Sequence, residues 1–434
     1  MSSRSHRRAA VALAAATAAL AVPAVASAAT LTVDNDRQEC KKAQFTSINA
    51  AIAAAAPGDT VRVCAGLYPE RVNVGKPLEL VGPRQGNGAA PSRDDAPDPR
   101  RDAIVANATD AGFDVQASNV RIAGFTVQGT QANPYPGAGI YLREGANREI
   151  EGNVLAGNRN NVYGEGSQTA LEIERNGIYG AAGPDLGQPV PPPVGGVFLA
   201  GSASQRANDV TIEHNAFARN GQYGVNVGTA SDRGFSISHN TSDQDGTFVV
   251  IGRTTGARVE HNKVEESRSS GIFPYGDNVD LSIAYNDLDG SNVSNFGIAP
   301  RAAQFGTTGG NPGLNIAHNR ITQFFDGISL DGVDGATIAF NQTRGNDRHG
   351  IRLFNAVNSL VAHNDSRDNA RDGIRVDTAS RENQIEHNVA YGNGEHDCHD
   401  DSVGERTAGT ANTWEDDRGR TENRPGLCEG AETP

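Results

Sequence analysis

The stretches GIRLFNAVNSLVAHN, Gly350 to Asn364, and GIRVDTASRENQIEHN, Gly373 to Asn388, are two copies of one pattern. Each copy begins with a Gly-Ile-x-Val/Leu strand, continues through a variable turn, and ends in a second strand that stops at asparagine. A short third strand completes the period. Within each strand, alternation of period two sends Ile and Val to one face and polar residues to the other.

The pattern recurs along most of the chain, and asparagine marks it. Most intervals between these asparagines are 22 to 25 residues, and the two longer ones contain insertions. The ladder asparagines are Asn153, Asn176, Asn215, Asn240, Asn262, Asn286, Asn319, Asn341, Asn364 and Asn388. Asparagine tolerates the left-handed backbone of a sharp bend, and its amide can bond the same turn in the coils above and below. We therefore interpret these residues as structural.

Strands this short cannot bury an apolar face alone. Stacking each coil on the next, at the usual strand spacing of about 4.8 Å, buries the apolar columns and pairs the backbone in parallel sheets. The repeat therefore predicts an all-β fold: a parallel β-helix, a three-sheet solenoid of roughly 12 coils.

Both ends of such a stack need covering. Ser47 offers an N-cap, and Ile48 and Ile52 share one face of an alanine-rich helix that stops at Pro57, which predicts an N-terminal capping helix. The four cysteines lie as one pair near each end, and in an oxidising compartment they predict two terminal disulfides, the second holding a C-terminal cap. The pairs are Cys40 with Cys64, and Cys398 with Cys428.

The first 28 residues have the form of a secretory signal peptide, with arginines, an apolar run and a small-residue site at Ala26–Ala28. A secreted protein that is not held in a membrane after cleavage is therefore expected. The net charge of −14 makes nucleic acid an improbable partner. The predicted organisation is signal peptide 1–28, N-terminal cap and first coils 29–82, loop and connecting coil 83–111, β-helix repeats 112–394, and C-terminal cap 395–434.

With these repeats, the sequence resembles the pectin-lyase-like right-handed β-helix superfamily, especially bacterial secreted β-helix repeat proteins. The segment Phe45 to Gly82 is similar to the amino-terminal part of many of them. The resemblance implies a right-handed solenoid and a groove for an extended sugar chain along the first strand of each coil. The motifs of pectin methylesterases, pectate lyases, alginate epimerases and polygalacturonases are missing, so no known active site carries over.

Outward positions on that first strand supply the candidate residues. Predicted for substrate binding are Tyr275, Arg301, Phe354 and Arg375, because aromatic rings stack on pyranose faces and guanidinium groups bind carboxylates. The catalytic candidates are Asp331, Arg352 and Asp377. The two aspartates lie two coils apart, near the wider separation of inverting glycosidases, with Arg352 between them. A lyase could instead use arginine as the base. Ordinary solvated ion pairs between coils are the competing interpretation.

Histidine precedes the ladder asparagine in six coils, but Tyr285 and Phe340 occupy the same position elsewhere. This exchange favours ring stacking over metal binding. A denser donor group, Glu395 to Asp397 with His399 to Asp401, could bind Ca²⁺ or Zn²⁺, although a solvated cap is the simpler interpretation. We predict no metal site and no cofactor, with Ca²⁺ left as a possibility.

The leading hypothesis is a secreted carbohydrate-interacting protein that binds an extracellular polysaccharide, either a lyase or a hydrolase acting on an acidic glycan. Insertions beside the groove, Gly180–Gly196 and Ala302–Gly313, favour it. The alternative is a non-catalytic extracellular or cell-surface solenoid, which the missing motifs favour. Whether the protein is an enzyme stays open at this point.

Overall fold

The computed structural model describes residues 28–84, 90, 97–106, 110–130, 137–180, 195–200, 206–228, 232–302 and 310–430. Residues 1–27 of the predicted signal peptide and most of both insertions beside the groove lie outside these residues. Nearly all regular structure in the described part is β-strand. Among the described residues, no helix has the length and apolar character needed to cross a membrane.

Three columns of parallel strands run along the solenoid, and we name them sheets A, B and C. Sheet A contains sixteen strands, and its strands stop just before the ladder asparagines. One short strand, Thr254–Thr255, pairs with Asp232–Ser238 beside the linear order of the other strands. Its strands are Thr30–Val33, Thr60–Val63, Leu78–Val81, Val120–Ala123, Gly145–Glu151, Gln168–Glu174, Ala207–Glu213, Asp232–Ser238, Thr254–Thr255, Arg258–Glu260, Ser282–Ala284, Asn315–Ala317, Thr337–Ala339, Leu360–Ala362, Gln384–Glu386 and Thr413–Glu415.

Sheet B follows the ladder asparagine. Its strands are Gly66–Tyr68, Ala103–Ala106, Thr126–Gln128, Val154–Ala156, Gly177–Tyr179, Ala216–Ala218, Thr241–Asp243, Lys263–Glu265, Gln342–Arg344, Asp365–Arg367 and Val389–Tyr391, with the first halves of Asp287–Ile298 and Arg320–Asp331. These two long strands continue into sheet C without a break, so sheets B and C are joined at two coils.

Sheet C carries the Gly-Ile strands. Its other strands are Val72–Val74, Ala111–Val115, Ala138–Leu142, Asn160–Glu165, Gly195–Ala200, Tyr223–Val227, Thr247–Gly252, Ser270–Tyr275, Ile351–Phe354, Ile374–Val376 and Cys398–Asp400. The three-sheet solenoid is therefore confirmed. Its last strands, Cys398–Asp400 and Thr413–Glu415, lie past residue 394, so the stack continues into the segment predicted as cap.

The core is a set of straight apolar columns inside the solenoid. Ile351 is fully buried and lies between Ile328 and Ile374 in the sheet register. At the amino-terminal end, helix Ile48–Ala54 buries Ile48 and Ile52 against the first coils, and the Ser47 hydroxyl accepts a hydrogen bond from the Ala50 N–H. The predicted capping helix is confirmed.

The asparagine ladder bonds successive coils through both ends of each amide. Asn364 Oδ1 accepts the backbone N–H of Asn341 at 2.9 Å and its Nδ2 at 3.0 Å, and Asn364 Nδ2 donates to Ile338 O at 2.9 Å. Asn364 Nδ2 also donates to Asn388 Oδ1 in the next coil at 2.9 Å, so the rung ties three coils together and leaves no group of its amide unsatisfied.

One detail of the sequence interpretation was wrong. The left-handed residue at this bend is the one before the asparagine, as at His363 with φ of 55° and Phe340 with φ of 57°, and the ladder asparagines themselves keep negative φ. The reason is geometric: the asparagine side chain must point into the ladder, so the preceding residue makes the bend and its ring points outward.

Those outward rings stack along the bend, as predicted from their exchange with tyrosine and phenylalanine. Centroids of neighbouring rings lie 4.9 to 5.1 Å apart. The stack contains His214, His239, His261, Tyr285, His318, Phe340, His363 and His387. Phe340 cannot bind a metal, and its ring and that of Tyr285 pack in the same way as the imidazoles.

Both predicted disulfides are present, Cys40–Cys64 and Cys398–Cys428. In the C-terminal cap, the buried Asp400 carboxylate accepts hydrogen bonds from Trp414 Nε1 at 2.9 Å and Asn412 Nδ2 at 3.1 Å. A second asparagine ladder contains Asn346, Asn369 and Asn393, and Asp397 ends it by accepting a hydrogen bond from Asn393 Nδ2 at 2.8 Å. These two members of the predicted donor group therefore serve the cap.

Asp245 follows the ladder residue Asn240 by five residues, which is the repeat position that holds asparagine in other coils, as at Asn346 and Asn369. Its Oδ1 accepts the backbone N–H and the Nδ2 of Asn220, and its Oδ2 accepts the Ser242 hydroxyl. Burial raises the pKa of Asp245 to about 6, although these hydrogen bonds oppose the shift. The unfolded pKa is lower, so stability that is full below about pH 4 is lost as the pH rises through the folded pKa.

We therefore expect Asp245→Asn to stabilise the fold by about 1–3 kcal/mol at pH 8 and to change it little at pH 4. Denaturant melts across this range measure the effect. As a control, Asn240→Asp should do the reverse, because it places a carboxylate oxygen against Ile212 O and Asn262 Oδ1, which now receive the Asn240 amide. Equal pH dependence of the wild type and Asp245→Asn would contradict this account.

Candidate functional site

The outward face of sheet C forms a groove, and the strand register lines up its side chains in three files. The inner file runs through Tyr223, Thr247, Ser270, Phe296 and Asp326. Backbone bonds between Gly-Ile strands extend this file to His349, Asp372 and His396. The middle file ends in Ser329, Arg352, Arg375 and His399, and the outer file contains Tyr275, Arg301, Asp331 and Phe354.

The predicted site residues lie along this groove, but their side chains contact different partners. Arg301 lies 3.9 Å from Asp331 and covers the Phe273 ring at 5.5 Å. Asp377 belongs to a turn, because its Oδ1 accepts the backbone N–H of Ser380 at 3.0 Å and the Ser380 hydroxyl at 2.6 Å. Asp331 and Asp377 as a catalytic pair stay a prediction.

Arg352 turns toward a residue that the sequence analysis did not select. Its Nη1 lies 3.8 Å from Asp326 Oδ2, and its guanidinium carbon lies 4.7 Å from the Phe354 ring centroid. No hydrogen bond fixes the Arg352 guanidinium among the described residues. It is therefore held in place by weak contacts and stays available to a carboxylate ligand.

The surroundings of Arg352 contain further polar atoms without a partner. In the described part of the chain, Asp326 Oδ2 and Arg348 Nε are buried and make no hydrogen bond, although Arg348 Nε lies 3.4 Å from Asp326 Oδ1. Burial lowers the pKa of Arg348, and nearby Arg352 and Arg375 lower it further against the opposing charge of Asp326. Several guanidinium groups are thus crowded at one point of the groove.

Asp372 is the centre of a second group, which we call the Asp372 cluster: His349, Asp372, His396 and His399. The Asp372 side chain is fully buried. Its Oδ1 lies 3.2 Å from His396 Nδ1 and 3.1 Å from His399 Nδ1. Its Oδ2 makes no hydrogen bond, although it lies 3.1 Å from His349 Nδ1 and 3.5 Å from Arg375 Nη1. His349 Nδ1 instead accepts the backbone N–H of Asp372 at 3.4 Å.

The charges of this cluster stabilise each other. Burial alone would raise the pKa of Asp372, but His349 and His399 outweigh it and hold the pKa well below its usual range. Burial would likewise lower the pKa of His399, but Asp372 and Asp401 raise it overall. The carboxylate therefore stays ionised and cannot serve as a proton donor near neutral pH.

His396 is the accessible imidazole of the cluster. Its side chain is 33% exposed, against 6% for His349 and 10% for His399. His399 uses both ring nitrogens, because Nε2 lies 3.0 Å from Asp401 Oδ1. His396 bonds Asp372 through Nδ1, and its Nε2 has no partner among the described residues. A carboxylate that orients an imidazole in this way prepares the second nitrogen for proton transfer.

The same cluster is where a metal ion would fit. One donor atom from each of Asp372, His396 and His399 lies within 4.8 Å of the others. Two imidazoles and one carboxylate suit a transition metal better than Ca²⁺, which prefers oxygen ligands. Arg375 Nη1 already lies 2.9 Å from His399 Nε2 and supplies positive charge there. The predicted absence of a metal site stays a prediction, as does the possibility of Ca²⁺.

An aromatic cleft of about 630 Å³ precedes these groups along the groove. Its walls carry the rings of Phe198, Tyr223, Phe273, Tyr275 and Phe296. Amide and hydroxyl groups lie between the rings, and Arg301 stands at the end nearest Asp326. Rings and hydrogen-bonding groups along one cleft are the usual means of holding a sugar chain.

Sequence reasoning missed Asp326, His349 and Asp372. It counted outward positions only after the glycine of each Gly-Ile strand, whereas these residues precede the glycine. A signal existed, because Asp326-Gly327, His349-Gly350 and Asp372-Gly373 repeat a polar residue at one place in consecutive coils. His396 and His399 were noticed, but as a possible Ca²⁺ or Zn²⁺ donor group or a solvated cap and not as part of the groove.

Two stretches of the chain, residues 101–242 and 247–407, match the family model described as "Right handed beta helix region". Together they cover more than half of the sequence, so the chain belongs to this family. The parallel β-helix predicted from the repeats, and the right hand that the resemblance implies, are therefore confirmed. No curated protein sequence matches the chain.

Solved structures similar to the chain include the A-module of the mannuronan C-5 epimerase AlgE6 of Azotobacter vinelandii, with 15% identity over 89% of this chain and 94% of that one, at a TM-score of 0.45. The DFA-IIIase of Arthrobacter chlorophenolicus in complex with DFA-III has 16% identity over 78% of this chain and 89% of that one, at 0.49. A point mutant of the periplasmic alginate epimerase AlgG has 15% identity, covering 82% and 76%, at 0.43.

Proposed function

We propose that this protein is a secreted enzyme that cleaves an acidic polysaccharide by β-elimination in the sheet C groove. The observation that carries the proposal is the position of the Asp372 cluster. An accessible imidazole oriented by a buried carboxylate lies near Arg352, whose guanidinium makes no hydrogen bond among the described residues, on the rungs that follow an aromatic cleft. These parts together meet the needs of proton abstraction next to a uronate carboxylate.

Arg352 and Arg375 would bind the carboxylate of the reacting uronate. They are neighbours in the middle file, with paired Cα positions and side chains about a quarter exposed. Arg375 Nη2 also pairs with Asp401 at 2.5 Å, whereas Arg352 makes no hydrogen bond among the described residues. Two guanidinium groups on one carboxylate neutralise its charge and thereby acidify the adjacent C5–H. This role agrees with the sequence prediction of substrate binding by Arg375, and it uses Arg352 for binding.

His396 would act as the base. Its Nε2 takes the proton from C5, the electron pair forms the C4–C5 double bond, and the C4–O4 bond breaks. The departing O4 takes a proton from water. Asp372 holds the ring through Nδ1 and stabilises the imidazolium that forms, as a carboxylate partner does in other imidazole bases.

Elimination is favoured over hydrolysis because of the proton that hydrolysis requires. A glycoside hydrolase needs a carboxylic acid whose pKa is raised, so that it can protonate the leaving oxygen. The charged partners of Asp372 hold its pKa low instead. Hydrolysis through Asp331 and Asp377 is the other form of the proposal, and the assay below separates the two.

An extracellular location is part of the proposal. Two disulfides at the ends of the solenoid require an oxidising compartment to persist. The arginine-led apolar segment at the start of the sequence supplies a route for export. An extracellular polysaccharide would then be within reach.

The test is to incubate the protein with a panel of uronate-containing and neutral polysaccharides. Absorbance at about 235 nm and new reducing ends are followed together. Unsaturated products with matching reducing ends are expected. Reducing ends without that absorbance would indicate hydrolysis, and retention of one glycan without products would indicate the non-catalytic binding solenoid.

A further inference from the structure

We infer that the substrate is a heteroglycan whose acidic residue is flanked by uncharged sugars, rather than a homopolymer of uronates. This inference rests on the proposed function, since it assigns the acidic residue to Arg352 and Arg375. The uncharged neighbours would occupy the aromatic cleft on the amino-terminal side of these arginines. The distribution of charge along the groove supports this assignment.

The cleft extends over five consecutive rungs of sheet C, from Phe198 to Phe296. At the usual spacing of strands this is about 19 Å, which is room for several pyranose rings in a row. A sugar chain that reaches Arg352 from this side must lie along the whole cleft. The inner and middle files are continuous from one region to the other.

Charge is scarce in this cleft. Among the described residues that line it, Arg301 is the one charged side chain, and it lies 3.9 Å from Asp331 at the end of the cleft. The remaining polar groups are amides and hydroxyls, as in Asn226, Asn295 and Ser270.

These groups suit sugar hydroxyls and not carboxylates. A homopolyuronate would place several negative charges in the cleft against one arginine that already has a partner. Each uncompensated carboxylate would lose hydration without gaining a counterion. The net charge of −14 adds repulsion for any polyanion. A neutral run of sugars stacks on the rings of the cleft and avoids both penalties.

The experiment compares homopolyuronates, polygalacturonate and alginate, with a heteroglycan in which neutral sugars separate the uronates, such as gellan. We expect kcat/KM from absorbance at 235 nm to be at least tenfold higher on the heteroglycan. Equal or faster cleavage of the homopolyuronates would overturn the inference and leave the proposed function intact.

A binding measurement tests the inference even if no product forms. Affinity electrophoresis of the His396→Asn variant should show retardation by gellan and little by polygalacturonate. That result without turnover in the wild type would support the inference on binding and reject the enzyme. Stronger retardation by polygalacturonate would reject the inference whether or not turnover is found.

Variants of the cleft provide the last comparison. Phe273→Ala should raise KM on the heteroglycan about tenfold with little change in kcat, because it removes one stacking surface. Phe340→Ala, on the exposed ring stack at another bend, is the matched control and should change neither constant. Val250→Arg adds a cation between Asn226 and Phe273 and should improve turnover of polygalacturonate. No gain from Val250→Arg, together with no loss from Phe273→Ala, would contradict the assignment of the cleft.

Discussion

Replacing His396 with asparagine is expected to lower kcat on the preferred acidic glycan by about 10²- to 10⁴-fold, the range typical of a lost general base. Asparagine keeps a hydrogen bond to Asp372 but cannot accept a proton from carbon. KM should change little, because His396 is assigned to the proton and not to the substrate carboxylate. Steady-state kinetics followed at 235 nm measure both constants.

Arg352→Ala should have a different signature. This arginine is assigned to the substrate carboxylate, so its loss should raise KM and lower kcat together. Arg352→Lys keeps the charge but loses the two-point contact, and should recover only part of the activity. A fall in kcat alone would assign Arg352 a role other than the one proposed.

Asp372 acts through His396 and is a positioning residue. Asp372→Asn should lower kcat with little change in KM, because the His396 ring loses the charged partner that orients its Nε2. A purely structural role would instead lower the amount of folded protein. Thermal melts of the variant separate a folding defect from this effect.

The matched control for these variants is His363→Asn. His363 is an imidazole of the exposed ring stack, between Phe340 and His387, and makes no contact with the Asp372 cluster in the described structure. Its replacement should leave both constants unchanged. Full activity of His396→Asn, with the His363→Asn variant equally active, would remove His396 from the mechanism.

The repeat itself explains why the fold can be predicted from the sequence. Ile351 and Ile374 stand at the same place in successive periods, and stacking converts equal sequence positions into straight files in space. Register, sheet number and the inward columns follow from that rule. The terminal helix and disulfides follow from local signals at Ser47 and from cysteine spacing.

The functional site is harder to predict from the sequence, because it depends on side chains that differ between repeats. The position before the Gly-Ile strand holds Thr247 and Phe296 in the cleft but Asp326 and Asp372 farther along. Spacing alone assigns all four to one file. It does not reveal that Asp372 Oδ1 receives two imidazoles, because the χ angles of His396 and His399 decide that contact.

The same limit explains the pairing of Arg352. The sequence placed it between Asp331 and Asp377, and the register agrees that these residues lie on adjacent rungs. The long side chain turns instead toward Asp326, whose buried charge attracts it more strongly than the exposed Asp331. Burial differences of this kind are a property of the folded molecule and cannot be read from residue spacing.

The largest expected effect on stability is that of Ile351→Asp. Ile351 is fully buried between Ile328 and Ile374, so the new carboxylate would have no counterion and no water. Burying an unpaired charge in a well-packed core costs at least about 5 kcal/mol, or else forces the coil open. Because each coil of a solenoid is stabilised by its neighbours, the coils on the carboxyl-terminal side should unfold together. Hydrogen exchange of Ile374–Val376 and Thr413–Glu415 would detect this directly.

Leu360→Asp introduces the same charge in the same coil, but at an outward-facing position of sheet A. Leu360 points outward between Thr337 and Gln384, where an aspartate stays hydrated. It should cost less than about 1 kcal/mol, as surface substitutions usually do. Ile351→Val, which removes one methylene, should cost about 0.5–1.5 kcal/mol. If Ile351→Asp and Leu360→Asp were equally stable in denaturant melts, the inward and outward sides of the coil would be misassigned. The files of the groove, which share this register with Ile351, would then be misassigned as well.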